Sequence, residues 1–368
     1  MKNYLWSSLI LLFFLIVVAG EMRVIGAPAT DAQTVQQIGS VFVIALENHN
    51  FTQPHPTKEP QQLRGNPAAP YINSLITPGN SNAAEVSYAM RYYNAGKGVH
   101  PSECSYVWSE AGSDFNIHTD ADPNPVDNNV FNVPHLTRLM NAAHILWKSY
   151  QEDFEFARLP TSSVSGKTMI PNLYNHVARY AYAVKHNPMA FFNDTRYQNM
   201  YSLTNLAQDL ANNMVGRYNW ITPNVWNDMH SALSEGFDYH GAHYTKQQAE
   251  VAQGDNFLSI LIPQIMASRA YKYNGAIIIW TDETEGGDDT NYALPEIVIS
   301  PLAKGNAYAS SKVMSHSSDL KTMLEIFDLT FTSNAVPAAE TNALGGYNNV
   351  ATVNDLSDLF VRPSPQGE

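Results

Sequence analysis

The apolar run Val41–Leu46 reads VFVIAL, and the polar stretch Glu47-Asn-His-Asn-Phe51 follows it without a gap. An uninterrupted apolar run of this length is typical of a central strand that is covered on both faces. Two similar runs occur much later in the chain, AIIIW at 276–280 and EIVIS at 296–300. These three runs predict the central strands of a sheet.

Weaker strand patterns and helical patterns occupy the rest of the chain. Strands are also predicted at 144–150, 189–192 and 218–222. Helices are predicted at 136–143, 173–184, 201–213, 256–271 and 318–327. Strands that alternate with helices predict an α/β fold with a mostly parallel central sheet and helices on both faces. In such sheets the functional site lies beyond the carboxyl ends of the strands.

The composition is that of a globular protein. Of the 368 residues, 44% are hydrophobic and 15% are charged, and we predict a single domain over residues 36–362. The formal net charge of −13 disfavours a nucleic-acid backbone as partner, because no excess of Lys and Arg is present to replace its counterions. A phosphate ligand would need positive charge supplied locally.

The beginning of the chain resembles an export signal. Residues 9–19 (LILLFFLIVVA) are apolar and uncharged, and small residues follow at Ala19, Gly20 and Ala29. We predict a signal peptide over residues 1–29 and a secreted, periplasmic or cell-envelope location, with an uncleaved membrane anchor as the alternative. The single cysteine, Cys104, excludes an intramolecular disulfide. Residues 363–368 are predicted to be a flexible tail.

Two of the predicted strands end in oxygen-rich side chains. Glu47 and Asn48 follow the first strand, and Asp282 and Glu283 follow the strand at 276–280. Clustered carboxylates are costly to bury, but a shared divalent cation makes such a cluster favourable. The alternative is that both tips are solvated loops. Oxygen ligands favour Mg, Ca or Mn, although Zn also accepts carboxylates, and we expect one ion per site.

Ser102 and three histidines are the other candidates for chemistry. Ser102 follows Gly98-Val-His-Pro101, a pattern for a loop that enters a helix, where backbone N–H groups can hold a phosphoryl oxygen. The alternative for Ser102 is an ordinary helix cap. His186, His230 and His316 could contact phosphate or protonate a leaving group, or could be ordinary surface or core histidines.

Taken in order, eight motifs resemble the phosphoesterase family, which joins bacterial acid phosphatases and non-specific phospholipases C within the alkaline-phosphatase-like superfamily. The similarity extends from about residue 41 to about residue 327. The motifs are Glu47-Asn-His-Asn-Phe, His100-Pro-Ser, Trp147-Lys-Ser-Tyr-Gln-Glu-Asp, Lys185-His-Asn-Pro, Asn227-Asp-Met-His, Gly254-Asp-Asn, Trp280-Thr-Asp-Glu and His316-Ser-Ser.

The resemblance implies an alkaline-phosphatase-like three-layer α/β/α sandwich and a role for each motif. It implies that Ser102 is the nucleophile. The implied metal ligands are Glu47, Asn48, Asp282 and Glu283. The implied phosphate-facing or acid–base histidines are His186, His230 and His316. The residues that we expect to contact substrate or phosphate are His100, Lys185, Asn187 and Asp228.

The function implied is a secreted, metal-dependent hydrolase of phosphoric esters, similar to acid phosphatases and working through a phosphoserine. Its substrate would be a small-molecule or lipid phosphate ester. One alternative is a phospholipase C that cleaves lipid headgroup esters, and only this alternative predicts membrane contact. A second alternative is an inactive secreted binding protein on the same scaffold. One departure from the family is Glu103-Cys-Ser-Tyr106 where Leu-Pro-Asn-Tyr is usual; Glu103 would either repel an anionic substrate or point into solvent.

Overall fold

A computed structural model describes residues 35–52, 62–96, 99–284, 292–329 and 353–361. The predicted signal peptide at 1–29 and the predicted tail at 363–368 lie outside these ranges. Within the described ranges, no helix combines the length and the apolar character that crossing a membrane requires.

The described residues contain a large sheet and two small hairpins. The strands are β1 (Val41–Leu46), β2 (Val86–Tyr93), β3 (Trp147–Gln151), β4 (Val164–Lys167), β5 (Arg179–Tyr182), β6 (Met200–Ser202), β7 (Tyr218–Thr222), β8 (Phe237–Tyr239), β9 (Ala242–Tyr244), β10 (Ala276–Thr281), β11 (Glu296–Ile299) and β12 (Tyr308–Ser315). β4 pairs with β5 and β8 pairs with β9, each as an antiparallel hairpin.

The remaining eight strands form the central sheet in the order β12-β2-β11-β10-β1-β7-β3-β6. Five of the seven strand pairs in this order are parallel, and β11 runs antiparallel to both of its neighbours. The prediction of a mostly parallel sheet is confirmed. Because β1 and β10 are adjacent and parallel, with Leu46 opposite Thr281, the polar residues that follow them emerge at the same edge.

Helices cover both faces of the sheet. The helices are α1 (Pro70–Leu75), α2 (Ser102–Ala111), α3 (Leu136–Ala142), α4 (Leu206–Asn212), α5 (Lys246–Ala267), α6 (Arg269–Lys272) and α7 (His316–Ile326). Alternate residues of β1 belong to different cores: Phe42, Ile44 and Leu46 pack in the core that contains α1, α4 and α5. Val41 and Val43 pack in the core that contains α3 and α7. The predicted three-layer arrangement is confirmed.

Two predicted elements are wrong. Residues 173–184 form no helix; they contain turns followed by β5. The Asn172 side chain accepts hydrogen bonds from the backbone N–H groups of Tyr174 and Asn175, which satisfies those donors locally in a turn. The strand predicted at 189–192 is instead a buried 3-10 turn, Pro188–Phe191, because the proline favours this turn and cannot donate to a sheet.

Two further predicted helices exist with different boundaries. The helix predicted at 201–213 begins only at Leu206, because Met200–Ser202 pairs with β3. The helix predicted at 256–271 begins earlier, at Lys246, and ends at Ala267, with the separate short helix α6 after it. The polar first half of α5 (KQQAEVAQGD) conceals this beginning, although its Ala and Val residues are buried.

Candidate active site

The ends of β1 and β10 bring four predicted ligands together. Glu47 and Asn48 follow β1, and Asp282 and Glu283 follow β10. The Asn48 backbone N–H donates to Asp282 Oδ1 at 3.0 Å, which ties the two strand ends to each other. Glu47, Asp282 and Glu283 are all buried. The alternative that both strand ends are solvated loops is therefore wrong.

Ser102 lies between two of these carboxylates. Its Oγ is 3.1 Å from Glu47 Oε2 and 3.2 Å from Glu283 Oε1. Ser102 is the first residue of α2, and the residue in the capping position is Pro101, which has no side-chain cap. The Ser102 hydroxyl therefore serves the carboxylate cluster and does not cap its own helix.

The first N–H groups of α2 are less available than we expected. The Glu103 N–H donates to Asp120 Oδ1 at 3.1 Å, and the Cys104 N–H donates to the Pro101 carbonyl at 2.9 Å. A phosphoryl oxygen at Ser102 would compete with Asp120 for the Glu103 donor. Positive charge at this end of the helix must come mainly from side chains.

Lys185 supplies positive charge directly beside the serine. Its Nζ lies 3.4 Å from Ser102 Oγ, 3.9 Å from Glu47 Oε2 and 3.1 Å from Asp120 Oδ2. Burial would lower the pKa of Lys185, but the carboxylates of Glu47 and Asp120 outweigh it and raise that pKa. Lys185 is therefore a permanent cation within reach of any oxygen bound at Ser102.

His186 lies one layer deeper and orients Glu47. Its Nε2 is 2.7 Å from Glu47 Oε1, and its Nδ1 is 3.0 Å from Asp228 Oδ2. Burial alone would lower the pKa of His186, but Glu47 and Asp228 outweigh it and raise that pKa to about 9. Because the ring is fully enclosed, His186 holds Glu47 in place and does not reach outward.

His230 and His100 stand at the mouth of the site. His230 Nε2 lies 3.7 Å from Glu47 Oε2 and 3.5 Å from Lys185 Nζ, and a third (33%) of its side chain is exposed. The backbone N–H of His230 donates to Asp228 Oδ1, and this hydrogen bond fixes the segment between residues 228 and 230. His100 Nδ1 is 2.6 Å from Glu283 Oε2, and half of its side chain is exposed.

Two predicted site residues do not face the site. His316 is buried behind β10, where its Nε2 lies 3.0 Å from the Thr281 carbonyl and its ring packs on Trp280. Burial lowers the pKa of His316 to about 3, so the ring is neutral and supports the strand that ends in Asp282. Asn187 is also buried, and its side chain bonds to Ser149 and Tyr182. The structure therefore corrects the phosphate-contacting roles that we predicted for His316 and Asn187.

Glu103 neither points into solvent nor carries the charge that would repel an anionic substrate, which were the two expectations from the sequence. It is fully buried and does not point into solvent. Burial raises the pKa of Glu103 to about 8, and the nearby Asp120 adds to this. At acidic pH the side chain is thus neutral, so it places no negative charge beside Ser102.

The residues at the strand ends fit a divalent cation by their chemistry. Asn48 Oδ1 and Asp282 Oδ2 are buried and have no hydrogen-bond partner among the described residues. Burial, with Glu47 and Glu283 nearby, raises the pKa of Asp282, and burial raises the pKa of Glu283 to about 7. These are the properties of oxygens that a cation would stabilise. Over the described ranges, no three His, Cys, Asp or Glu side chains already surround one point.

Asp120 is a site residue that the sequence does not reveal. It contacts both Lys185 and the N-terminus of α2, which carries Ser102. It lies in the loop His118-Thr-Asp-Ala-Asp122, which has no periodic pattern and follows no strand. Only its acidity is visible in the sequence, and acidic loop residues are common.

Known proteins resemble the chain in both sequence and structure. The model of the Phosphoesterase family matches residues 69–330, a range that includes Ser102, Lys185 and Asp282. Over 137 residues the chain is 29% identical to an acid phosphatase of Aspergillus fumigatus, covering 36% of this chain and 28% of the relative. Over 211 residues it is 25% identical to a phosphate-repressible acid phosphatase of Penicillium chrysogenum, covering 56% of this chain and 42% of the relative. The matched region is thus less than half the length of these relatives.

Two solved structures share the fold at low sequence identity. A protein in the alkaline phosphatase superfamily from Vibrio parahaemolyticus superposes with a TM-score of 0.50 at 12% identity, covering 88% of this chain and 71% of that one. The PsFucS1 sulfatase from Pseudoalteromonas sp. superposes with a TM-score of 0.51 at 10% identity, covering 92% and 78%. These similarities show the alkaline-phosphatase-like fold that we predicted.

Proposed function

The chain belongs to the Phosphoesterase family, and on that premise we propose that it hydrolyses phosphoric esters with Ser102 as the nucleophile. Phosphomonoesters are the favoured substrates, because the relatives that match over part of the chain are acid phosphatases. The observation that carries the proposal is the position of Ser102 Oγ, which lies within 3.4 Å of two carboxylates and the Lys185 ammonium. A serine with only a structural role would not require two carboxylates and an ammonium group around its hydroxyl.

The proposed reaction has two steps. First the Ser102 oxygen bonds to phosphorus while the bond to the departing alcohol oxygen breaks. The Ser102 proton passes to one of the two carboxylates that the hydroxyl contacts, Glu47 or Glu283. His230, exposed at the mouth, is the proton donor to the departing alcohol oxygen. Water then attacks phosphorus, and phosphate leaves as Ser102 and His230 regain their protons.

Charge on the phosphoryl oxygens is stabilised by fixed groups. Lys185 is close enough to contact an oxygen of a phosphoryl group bonded to Ser102. His186 keeps Glu47 in position, and Asp228 keeps His186 in position. A divalent ion held by Glu47, Asn48, Asp282 and Glu283 would supply further positive charge when bound.

Ser102→Ala tests the assignment of the nucleophile. We expect kcat on an aryl phosphate to fall by at least about 10³-fold, because the bond-forming atom is removed. Ser105→Ala is the matched control, since Ser105 lies on the same helix and its buried Oγ has no partner among the described residues. Equal activity in the wild type and Ser102→Ala would contradict the proposal, and no activity in either would support the inactive-scaffold alternative.

The second candidate is a phospholipase C reaction on lipid headgroup esters. One observation favours it: large apolar side chains, among them Met169 and Ile170, are exposed in the connection that precedes Lys185 and His186. The two candidates differ in the rates that they predict for a soluble monoester and for phosphatidylcholine micelles. We expect the monoester to be the better substrate, and a higher kcat/KM on micelles would reverse this order.

We also propose that the chain is exported. The apolar residues 9–19 and the small residues after them support this proposal. N-terminal sequencing of the protein recovered from the expressing cells tests it. We expect a new N-terminus after Gly20 or Ala29, and an N-terminus that retains residues 1–19 would contradict export with cleavage.

A further inference from the structure

Asp120 takes up two of the groups that a phosphoryl group at Ser102 would need. Its Oδ1 accepts a hydrogen bond from the Glu103 N–H at 3.1 Å, and its Oδ2 accepts one from the Lys185 ammonium at 3.1 Å. Glu103 is the residue after Ser102, and Lys185 Nζ lies 3.4 Å from Ser102 Oγ. Both donors therefore flank the hydroxyl, and one carboxylate spans them with an oxygen on each.

These two donors are of the kind that binds an oxyanion. A phosphoryl group bonded to Ser102 carries negative oxygens, which are stabilised by backbone N–H groups at the start of a helix and by ammonium groups. The Asp120 carboxylate has a charge of the same sign and offers oxygens to the same donors. Because each donor is already occupied, a phosphoryl oxygen gains the Glu103 N–H or Lys185 only when Asp120 gives it up.

The loop that carries Asp120 is tied to the segment that carries Lys185. The Asp122 carboxylate accepts hydrogen bonds from the Ser163 N–H at 2.9 Å and from the Ser163 hydroxyl at 2.7 Å. The Ser163 Oγ in turn accepts the Val184 N–H at 2.9 Å, and Val184 directly precedes Lys185. The contact between Asp120 and Lys185 is therefore built into the loop and is not a chance meeting of two flexible side chains.

Asp120 is the carboxylate that Lys185 can exchange for a ligand. A third (34%) of the Asp120 side chain is exposed, so this carboxylate is hydrated by solvent when a ligand displaces it. Glu47, the other carboxylate near the Lys185 ammonium, is fully buried, and displacing it would leave a buried charge without a partner. A phosphate that enters the site therefore replaces Asp120 and leaves Glu47 in place.

We propose that Asp120 is an internal competitor of phosphate, which holds the Glu103 N–H and Lys185 in the free enzyme and returns to them as the phosphate product leaves. Every phosphate ligand must displace Asp120, so the carboxylate weakens the binding of inorganic phosphate and favours its release. Asp120 acts through Lys185 and is thus a positioning residue. The inference rests on the proposed function, since it takes Ser102 as the place where the phosphoryl group is bound.

Asp120→Asn tests the competition by a gain of affinity. The asparagine side chain has the same shape and can still accept the Glu103 N–H, but it has no charge with which to hold Lys185. We expect the Kd of inorganic phosphate, measured by isothermal titration calorimetry on the full chain, to fall by about tenfold to 10²-fold, the range for one hydrogen bond to a charged group. The KM for an aryl phosphate should fall with it, and kcat should not rise. Loss of a merely structural residue would instead weaken phosphate binding.

Asp122→Asn is the matched control. It removes the same charge from the same loop, but the Asp122 carboxylate is bonded to Ser163. We expect its Kd for phosphate not to fall. An unchanged or higher Kd in Asp120→Asn, or an equal fall in both variants, would overturn the inference. Tighter phosphate binding by Asp120→Asn together with full activity of Ser102→Ala would instead refute the proposed nucleophile alone.

Discussion

The carboxylate of Glu47 connects the groups of the site at the level of single residues. One oxygen contacts His186 and the other contacts Ser102, while Lys185 lies 3.9 Å away. Burial would raise the pKa of Glu47, but His186 and Lys185 outweigh it and lower that pKa, so the side chain is ionised. Removing its charge would leave Asp228 as the remaining carboxylate partner of His186 and Asp120 as that of Lys185.

His230→Asn tests the proton donor at the residue scale. If His230 protonates the leaving oxygen, the loss should depend on how basic that oxygen is. We expect kcat on an alkyl phosphate to fall by about 10²-fold to 10³-fold, and kcat on a nitrophenyl phosphate to fall far less. His240→Asn, at an exposed histidine of the β8–β9 turn, should leave both rates unchanged. An equal loss on both esters would assign His230 to binding or structure.

At the scale of elements, the Gly254-Asp-Asn motif has a structural explanation. Both Asp255 carboxylate oxygens accept backbone N–H groups at the start of α1, from Tyr71 at 2.9 Å and from Ile72 at 2.7 Å. A Cβ on Gly254 would lie 2.3 Å from Met229 Cγ. Met229 stands between Asp228 and His230, so the missing side chain of Gly254 lets α5 approach the loop that carries both residues.

Gly254→Ala should therefore affect a site that it does not touch. We expect a destabilisation of about 1–3 kcal/mol from overpacking and a fall in kcat/KM of about 10²-fold as Asp228 and His230 shift. The double variant G254A/M229A removes the clash and should recover most of the loss in kcat/KM, whereas the truncation of the buried Met229 keeps the protein destabilised. Wild-type activity in G254A, measured with a thermal melt on the same sample, would show that the contact is not needed.

Two carboxyl groups face each other between β11 and α7. Glu296 is fully buried, Asp319 is partly buried, and the Tyr92 hydroxyl donates to Asp319. Burial raises the pKa of Asp319 to about 7, and burial together with Asp319 raises the pKa of Glu296. The folded chain thus binds protons at these groups that the unfolded chain, with carboxyl pKa values near ~4, has released.

The sign of the pH dependence follows from these raised pKa values. The stability that the pair contributes is complete below about pH 4 and is lost as the pH rises toward and through about 7. E296Q/D319N should therefore have an unfolding free energy that falls less between pH 5 and pH 8 than that of the wild type, measured by urea titration. The exposed Asp238→Asn is the control. Identical pH slopes in wild type and double variant would refute the raised pKa values of Glu296 and Asp319.

The elements that the sequence predicts best are those whose burial is uniform. Every residue of β1, β10 and β11 is buried, and the sequences of these strands are therefore apolar throughout or nearly so. β12, at the edge of the sheet, alternates between buried and exposed positions and carries Ser and Lys, and its local pattern predicts no strand. Its place depends on pairing with β2, a contact between distant segments that no local pattern contains.

The candidate site is predictable where it follows strand ends. Parallel strands present their carboxyl ends at one edge, and this rule places Glu47 and Asp282 at the same edge of the sheet. That their strands are neighbours is known only from the structure. The same rule says nothing about a residue behind a strand, and this is why the prediction puts His316 on the wrong side of β10. Asp120 reaches the site along a loop, whose path no periodicity encodes.

On the scale of the whole molecule, the proposed cation should couple activity to stability. An ion that binds only the folded chain stabilises it in proportion to the logarithm of its concentration. We expect dialysis against a chelator to lower kcat/KM by about 10²-fold and to lower the melting temperature, with both restored by one of Mg, Ca, Mn or Zn. Asp282→Asn should show no restoration, and Asp238→Asn should behave as the wild type. Activity unaffected by exhaustive chelation would refute metal dependence.

The most direct test of the proposed mechanism is the trapping of the covalent phosphoserine intermediate at Ser102. The enzyme is mixed with excess aryl phosphate, quenched within the first turnover in separate acid and alkaline samples, digested, and mapped by mass spectrometry. We predict one phosphoryl group on the peptide that contains Ser102, present in Ser105→Ala and absent in Ser102→Ala. Turnover with an unmodified Ser102 peptide under both quenches, or with the phosphoryl group on another residue, would contradict the account.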